Sequence, residues 1–215
     1  MSRDLLWIAV LGLAWAILKY RPQWFHAVLV AVMGKTGLEA LGRKAMRGQP
    51  DSITLMPGGS PGRPEARSAL ESLERRGFRP AGSFVIPEMQ NLPVHFLAKE
   101  EESAIAVVYE HPKVGVWCDL VSRYVDGSTI TVTNAKMGGG LESRPEHVTI
   151  RTPGLTPAAL HIRLLRDRPA KPLRTVRAEE IPGVFAQAYA QETAWRKGRG
   201  LSADEVRRAA LERSA

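Results

Sequence analysis

The chain has 215 residues, 44% of them apolar and 24% charged, which is enough for one domain with a real core plus extensions and excludes a wholly disordered polymer. A single cysteine, Cys118, excludes an intramolecular disulfide and any multi-cysteine zinc or iron–sulfur site. The net charge of +8 is uneven: residues 1–50 carry 7 basic against 2 acidic side chains, residues 51–150 carry 10 against 13, and residues 151–215 carry 13 against 7. The centre is therefore not a basic recognition face.

The segment "LLWIAVLGLAWAILKY", residues 5–20, has no charge from Leu5 to Leu18. A bilayer core of about 30 Å takes about 20 helical residues, or about 17 at the short end, a length reached if Lys19 snorkels and Tyr20 sits at the interface. Basic residues follow the segment, as Lys19, Arg21, Lys35, Arg43, Lys44 and Arg47. The expectation is a single-pass N-terminal membrane anchor with the domain on the cytoplasmic side. The alternative is a cleaved signal peptide with Ala14-Trp15-Ala16 as the cut site, followed by export. A basic juxtamembrane helix then completes a first region, 1–47.

Residues 48–63, "GQPDSITLMPGGSPGR", read as a Pro/Gly/Ser-rich linker. From Pro64 the spacing of Ala66, Ala69, Leu70 and Leu73 predicts a helix that Gly77 ends. Strand patterns follow at 83–87, 93–99, 104–110, 114–124 and 128–134, with a sixth at 147–151. No helix-length pattern separates the first five. The fold class expected is therefore α+β: a helix, then a mainly antiparallel meander of five to six strands, with C-terminal helices packed on the sheet. The domain is expected to span 64–178 and the C-terminal helices 179–215.

The Tyr124–Ser128 hairpin can be read for register. A two-residue Asp-Gly loop would set Cys118 and Leu120 beside threonines. A three-residue loop with Gly127 left-handed pairs Tyr124 with Ser128 and sets Ile130 and Val132 beside those apolar residues, so it is preferred. Further along, Thr156 before Pro157 opens a helix, and Ser202 with Glu205 forms a capping box for the last one.

Polar residues gather near strand ends: Glu110 and His111 at one turn, Asp119 and Trp117 on the long strand, Asn134 at its return, and Glu142, Arg144 and His147 in the loop "NAKMGGGLESRPEH". These eight are the ligand-binding candidates. Two histidines with carboxylates also suit acid–base or metal chemistry, but no compact ligand pair such as His-x-x-x-His is present, so neither metal nor cofactor is expected. The three glycines lack the strand–GxGxxG–helix setting of a dinucleotide site. Tyr109, Trp117, Tyr189 and Trp195 suit helix–sheet packing better than an aromatic groove. Arg163, Arg166, Arg168, Lys171, Arg174 and Arg177 form a basic stretch without interleaved aromatics, which argues against nucleic acid.

Three readings follow. The first is a membrane-tethered, non-catalytic module binding a protein or small molecule. The second is a hydrolase or metal-dependent enzyme using the His/Asp/Glu cluster. The third is nucleic-acid binding through the basic C-terminal third.

Overall fold

A computed structural model describes residues 34–136, 138 and 141–212. The expected anchor at 5–20 lies outside the described residues. Among the described residues no helix is long and apolar enough to cross a membrane. The described residues divide into two compact units: 49–136 with 143–198, and a smaller one that includes 34–48, 138, 141–142 and 199–212.

The larger unit is built on one seven-stranded sheet in sequential order: β1 (Met56–Pro57), β2 (Arg79–Ile86), β3 (Leu92–Lys99), β4 (Ala104–His111), β5 (Gly115–Arg123), β6 (Thr129–Thr133) and β7 (His147–Arg151). The fold is α+β, but the sheet is mixed. This corrects the expected mainly antiparallel meander of five to six strands: β7 lies parallel to β6, and a short strand, β1, pairs with β2 from within the Pro/Gly/Ser-rich segment. A run of Pro and Gly hid the two-residue strand, and the 134–146 connection is long enough to return the chain for a parallel pairing.

The hairpin register follows the three-residue loop. Tyr124 N–H donates to Ser128 O at 3.0 Å, Gly127 has φ +87°, and Leu120 pairs with Val132. Alternation then divides the sheet into two apolar faces. On the first, Leu97, Ala106, Val108, Cys118, Leu120, Ile130 and Val132 meet Ala66, Ala69 and Leu73 of helix α2 (Pro64–Glu74) and Leu160 and Leu164 of α3 (Pro157–Asp167). On the second, Val94, Phe96, Ile105 and Val107 meet Ile53 and the start of α4 (Ile181–Arg199), where Phe185 packs its ring against Phe96 at 5.0 Å. Thr156 caps α3 by accepting from the Ala159 N–H.

The smaller unit contains α1 (Lys35–Arg47) and α5 (Ala203–Glu212), packed through Leu38, Ala203 and Val206. A Cβ at Gly42 would stand 3.0 Å from both Leu201 Cβ and Val206 Cγ2, so this glycine permits close helix contact. The capping box is formed: Glu205 N–H donates to Ser202 Oγ at 3.2 Å and Ser202 N–H to Glu205 at 2.9 Å. Burial would raise the Glu205 pKa, but hydrogen bonds from Arg199 and from the backbone N–H groups of Glu142 and Ser202 hold it down to about 2.

Candidate functional site

The eight candidate residues do not converge on one site. Glu110 is buried on the first face, whereas Trp117 and Asp119 lie on the second. His111 belongs to its own turn, where Nδ1 accepts from the N–H groups of Lys113 and Val114, each at 3.1 Å. Asn134 knits backbone: Oδ1 accepts from Cys118 N–H at 2.7 Å and Nδ2 donates to Leu155 O at 2.9 Å. Glu142 belongs to the smaller unit and pairs with Arg199 at 3.0 Å. Among the described residues no group of three or more His, Cys, Asp and Glu could hold a metal ion.

Trp117 and Tyr109 stack at 4.6 Å and 10°, with Phe185 beside Tyr109. Tyr189 donates its hydroxyl to Pro50 O at 3.1 Å. Tyr109, Trp117 and Tyr189 thus belong to the packing of the helix against the sheet. Beneath it, burial pushes the Asp119 carboxyl up, against hydrogen bonds from Thr133 and Tyr109 and the nearby Arg151 charge. The same burial, followed by the Asp119 charge, raises Tyr109 well above the usual phenol range.

Two arrangements remain with chemistry to offer. The first lies where β5, β6 and β7 run side by side. Arg123 pairs with Thr129, and Thr129 with His147, so the three side chains share the second face in one row. A bridge between Tyr124 and Leu173, with Arg174 N–H donating to Arg123 O at 2.8 Å, adds Arg174 to the row. Arg144 closes it, donating to His147 Nε2 at 2.5 Å and to Gln191 Oε1 at 3.3 Å. With Nε2 accepting, His147 is the neutral tautomer that donates from Nδ1 to Thr129 Oγ1, 2.7 Å away.

The row collects like charges. Burial, then the Arg174 and Arg144 guanidinium groups, push Arg123 down, and burial, then Arg144 and Arg123, push His147 down. Among the described residues neither the Arg123 nor the Arg174 guanidinium makes a hydrogen bond or ion pair. Glu180 feels the Arg174 charge but is hydrogen-bonded to Arg177, and Glu146 acts on His147 only through space.

The second arrangement is a buried polar line across β2, β3 and β4. Ser83 Oγ lies 2.8 Å from His95 Nδ1, and His95 Nε2 lies 2.7 Å from Glu110 Oε1. His95 and Glu110 are 3% and 5% exposed, so both are buried with their polar atoms bonded to one another. Glu110 also accepts from the backbone N–H groups of Gly62, at 3.2 Å, and Arg63, at 2.8 Å, which anchors the chain entering α2. His95 and Ser83 were not among the candidates. Their signal is a lone histidine amid the apolar run of β3, at a position whose neighbours across the sheet include a serine and a glutamate on the same face.

No family model, curated protein or solved structure matches this chain.

Proposed function

We propose that this chain is a binding module for a small anionic ligand, received at the row of Arg174, Arg123, Thr129, His147 and Arg144, with residues 5–20 tethering it to a membrane on its cytoplasmic side. The observation that carries this reading is the pair Arg123 and Arg174, side by side on one sheet face with no carboxylate among the described residues bonded to either. Half-buried Arg123 and exposed Arg174 repel one another, and an oxyanion between them relieves that cost through charge-assisted bonds. Thr129 and the switchable nitrogens of His147 add hydrogen-bonding capacity for the same ligand.

The basic C-terminal stretch offers less to nucleic acid than its sequence suggests. Arg163 and Arg166 are bonded to Asp167, Arg168 to Glu102 O, Lys171 to Asp126, and Arg177 to Glu179 and Glu180. Arg174 alone of the six is left for a ligand. Titration calorimetry with inorganic sulfate tests the reading. Saturable binding is expected, weakened at least tenfold by Arg123→Ala and by Arg174→Ala. Binding that both variants leave unchanged, or no binding at millimolar sulfate, would overturn it.

A further inference from the structure

The line Ser83, His95, Glu110 is separate from the cationic row, on the other face of the sheet. Glu110 accepts from the backbone N–H groups of Gly62 and Arg63, and its Oε1 lies 2.7 Å from His95 Nε2. In the neutral tautomer whose Nε2–H donates to Glu110, Nδ1 keeps its lone pair and accepts from Ser83 Oγ–H across the 2.8 Å contact. A serine whose proton already points at a neutral imidazole, itself backed by a carboxylate, has the poise of an activated nucleophile.

Ser83 is half-buried and is the route from solvent to His95 Nδ1, while His95 and Glu110 behind it are 3% and 5% exposed. Gly58 lies against β2, its N–H donating to Ser83 O at 2.8 Å, and a Cβ there would meet the Phe84 backbone at 3.0 Å. The next residue, Gly59, has open space around it, and the N–H groups of Gly59 and Ser60 make no hydrogen bond among the described residues.

We propose that Ser83 is a catalytic nucleophile for acyl transfer from small activated esters to water, with His95 as general base and Glu110 as the residue that positions it. Ser83 Oγ bonds to the acyl carbon as its proton passes to His95 Nδ1. The ester C–O bond then breaks, and the departing alkoxide takes that proton. A water molecule next adds to the acyl carbon and gives a proton to Nδ1. The Ser83 Oγ–C bond breaks and the proton returns to Ser83, so nothing is oxidised or reduced and water is the only co-reactant.

The test uses the full chain in detergent with diisopropyl fluorophosphate as probe and peptide mass mapping as readout. One adduct is expected, on Ser83, together with hydrolysis of p-nitrophenyl acetate that Ser83→Ala reduces to the solvent background. Glu110→Gln is the sharper variant. Its amide can still accept from Arg63 N–H, but it donates to His95 Nε2 and so shifts the imidazole proton to Nδ1, facing Ser83 with a donor. The labelling rate should fall at least a hundredfold while the folded circular-dichroism spectrum is kept, and the His95 nitrogen shifts should report the other tautomer. If Glu110→Gln fails to fold, His95→Gln labelled in parallel gives the same reading. Absence of an adduct on Ser83, or equal labelling of folded wild type and variant, overturns the proposal.

Discussion

The two polar ends of the sheet solve the problem of polar side chains in opposite ways. At β2–β4, Ser83, His95, Glu110 and two backbone N–H groups satisfy one another completely. At β5–β7, Arg123 and Arg174 stand beside Arg144 and His147 with no carboxylate bonded to the first two. A satisfied buried network stabilises and specifies its neighbourhood, because the alternative is an orphaned polar group in low dielectric. An array of like charges does the reverse, because each cation raises the cost of the next. The first end therefore adds to stability and the second draws on it.

This contrast can be broken by substitution. The largest effect is expected at Glu110→Ala, which strands His95 Nε2 and two N–H groups and should destabilise the protein by about 3 kcal/mol in chemical denaturation. A loss below about 1 kcal/mol would mean that the network is not what holds the entrance to α2. Next in size is a pH effect at the other end. His147 has a folded pKa below its ordinary value of about 6.5, so stability from its neutral form is intact above that value and is lost as pH falls through the folded one. Protonation adds a charge to the row, so sulfate should raise the melting temperature more at pH 5.5 than at pH 7.5. His147→Asn should abolish the difference; its persistence would locate the ligand elsewhere. His161 titrates in the same direction, since burial lowers it against Glu102, but a buried group bonded to that carboxylate should not respond to sulfate.

Smaller still is Arg123→Met, which keeps the aliphatic bulk and removes the charge. Without ligand it should stabilise by about 0.5 kcal/mol, the scale of a like-charge pair on a sheet face. Destabilisation would show that Arg123 has a structural partner. The smallest change is expected at His161→Phe. His161 Nδ1 is buried without a hydrogen-bond partner, and its ring meets Phe78 edge to face at 4.9 Å. Loss of the Glu102 bond is offset by removal of the orphan nitrogen, and the two unfolding midpoints should agree within about 0.5 kcal/mol.

Much of the architecture was legible because it depends on local rules. The Tyr124–Ser128 register follows from asking which pairing collects Cys118, Leu120, Ile130 and Val132 on one side, and the α5 cap follows from Ser202 and Glu205 three residues apart. The sites were less legible because they depend on contacts between distant segments. Glu110 was singled out beside His111, its neighbour in sequence, yet its partner is His95 on the adjacent strand. Arg144 and His147 were singled out as loop residues. The two groups that give them meaning, Arg123 and Arg174, arrive through a parallel pairing and an isolated bridge that no turn signal announces.

The direction of β7 has a consequence for charge. Because it runs parallel to β6, His147 stands level with Thr129 and Arg123, and Arg151 stands level with Thr133 and Asp119. Laid the other way, the same five residues would bring Arg151 against the arginines and leave Asp119 facing a histidine. One strand's polarity thus acts as a sorting device, sending Arg151 toward Asp119 and His147 to the row of Arg123 and Thr129. A connection cut to hairpin length could not maintain that arrangement, so the span from Asn134 to Glu146 sets the electrostatics of both ends of the sheet.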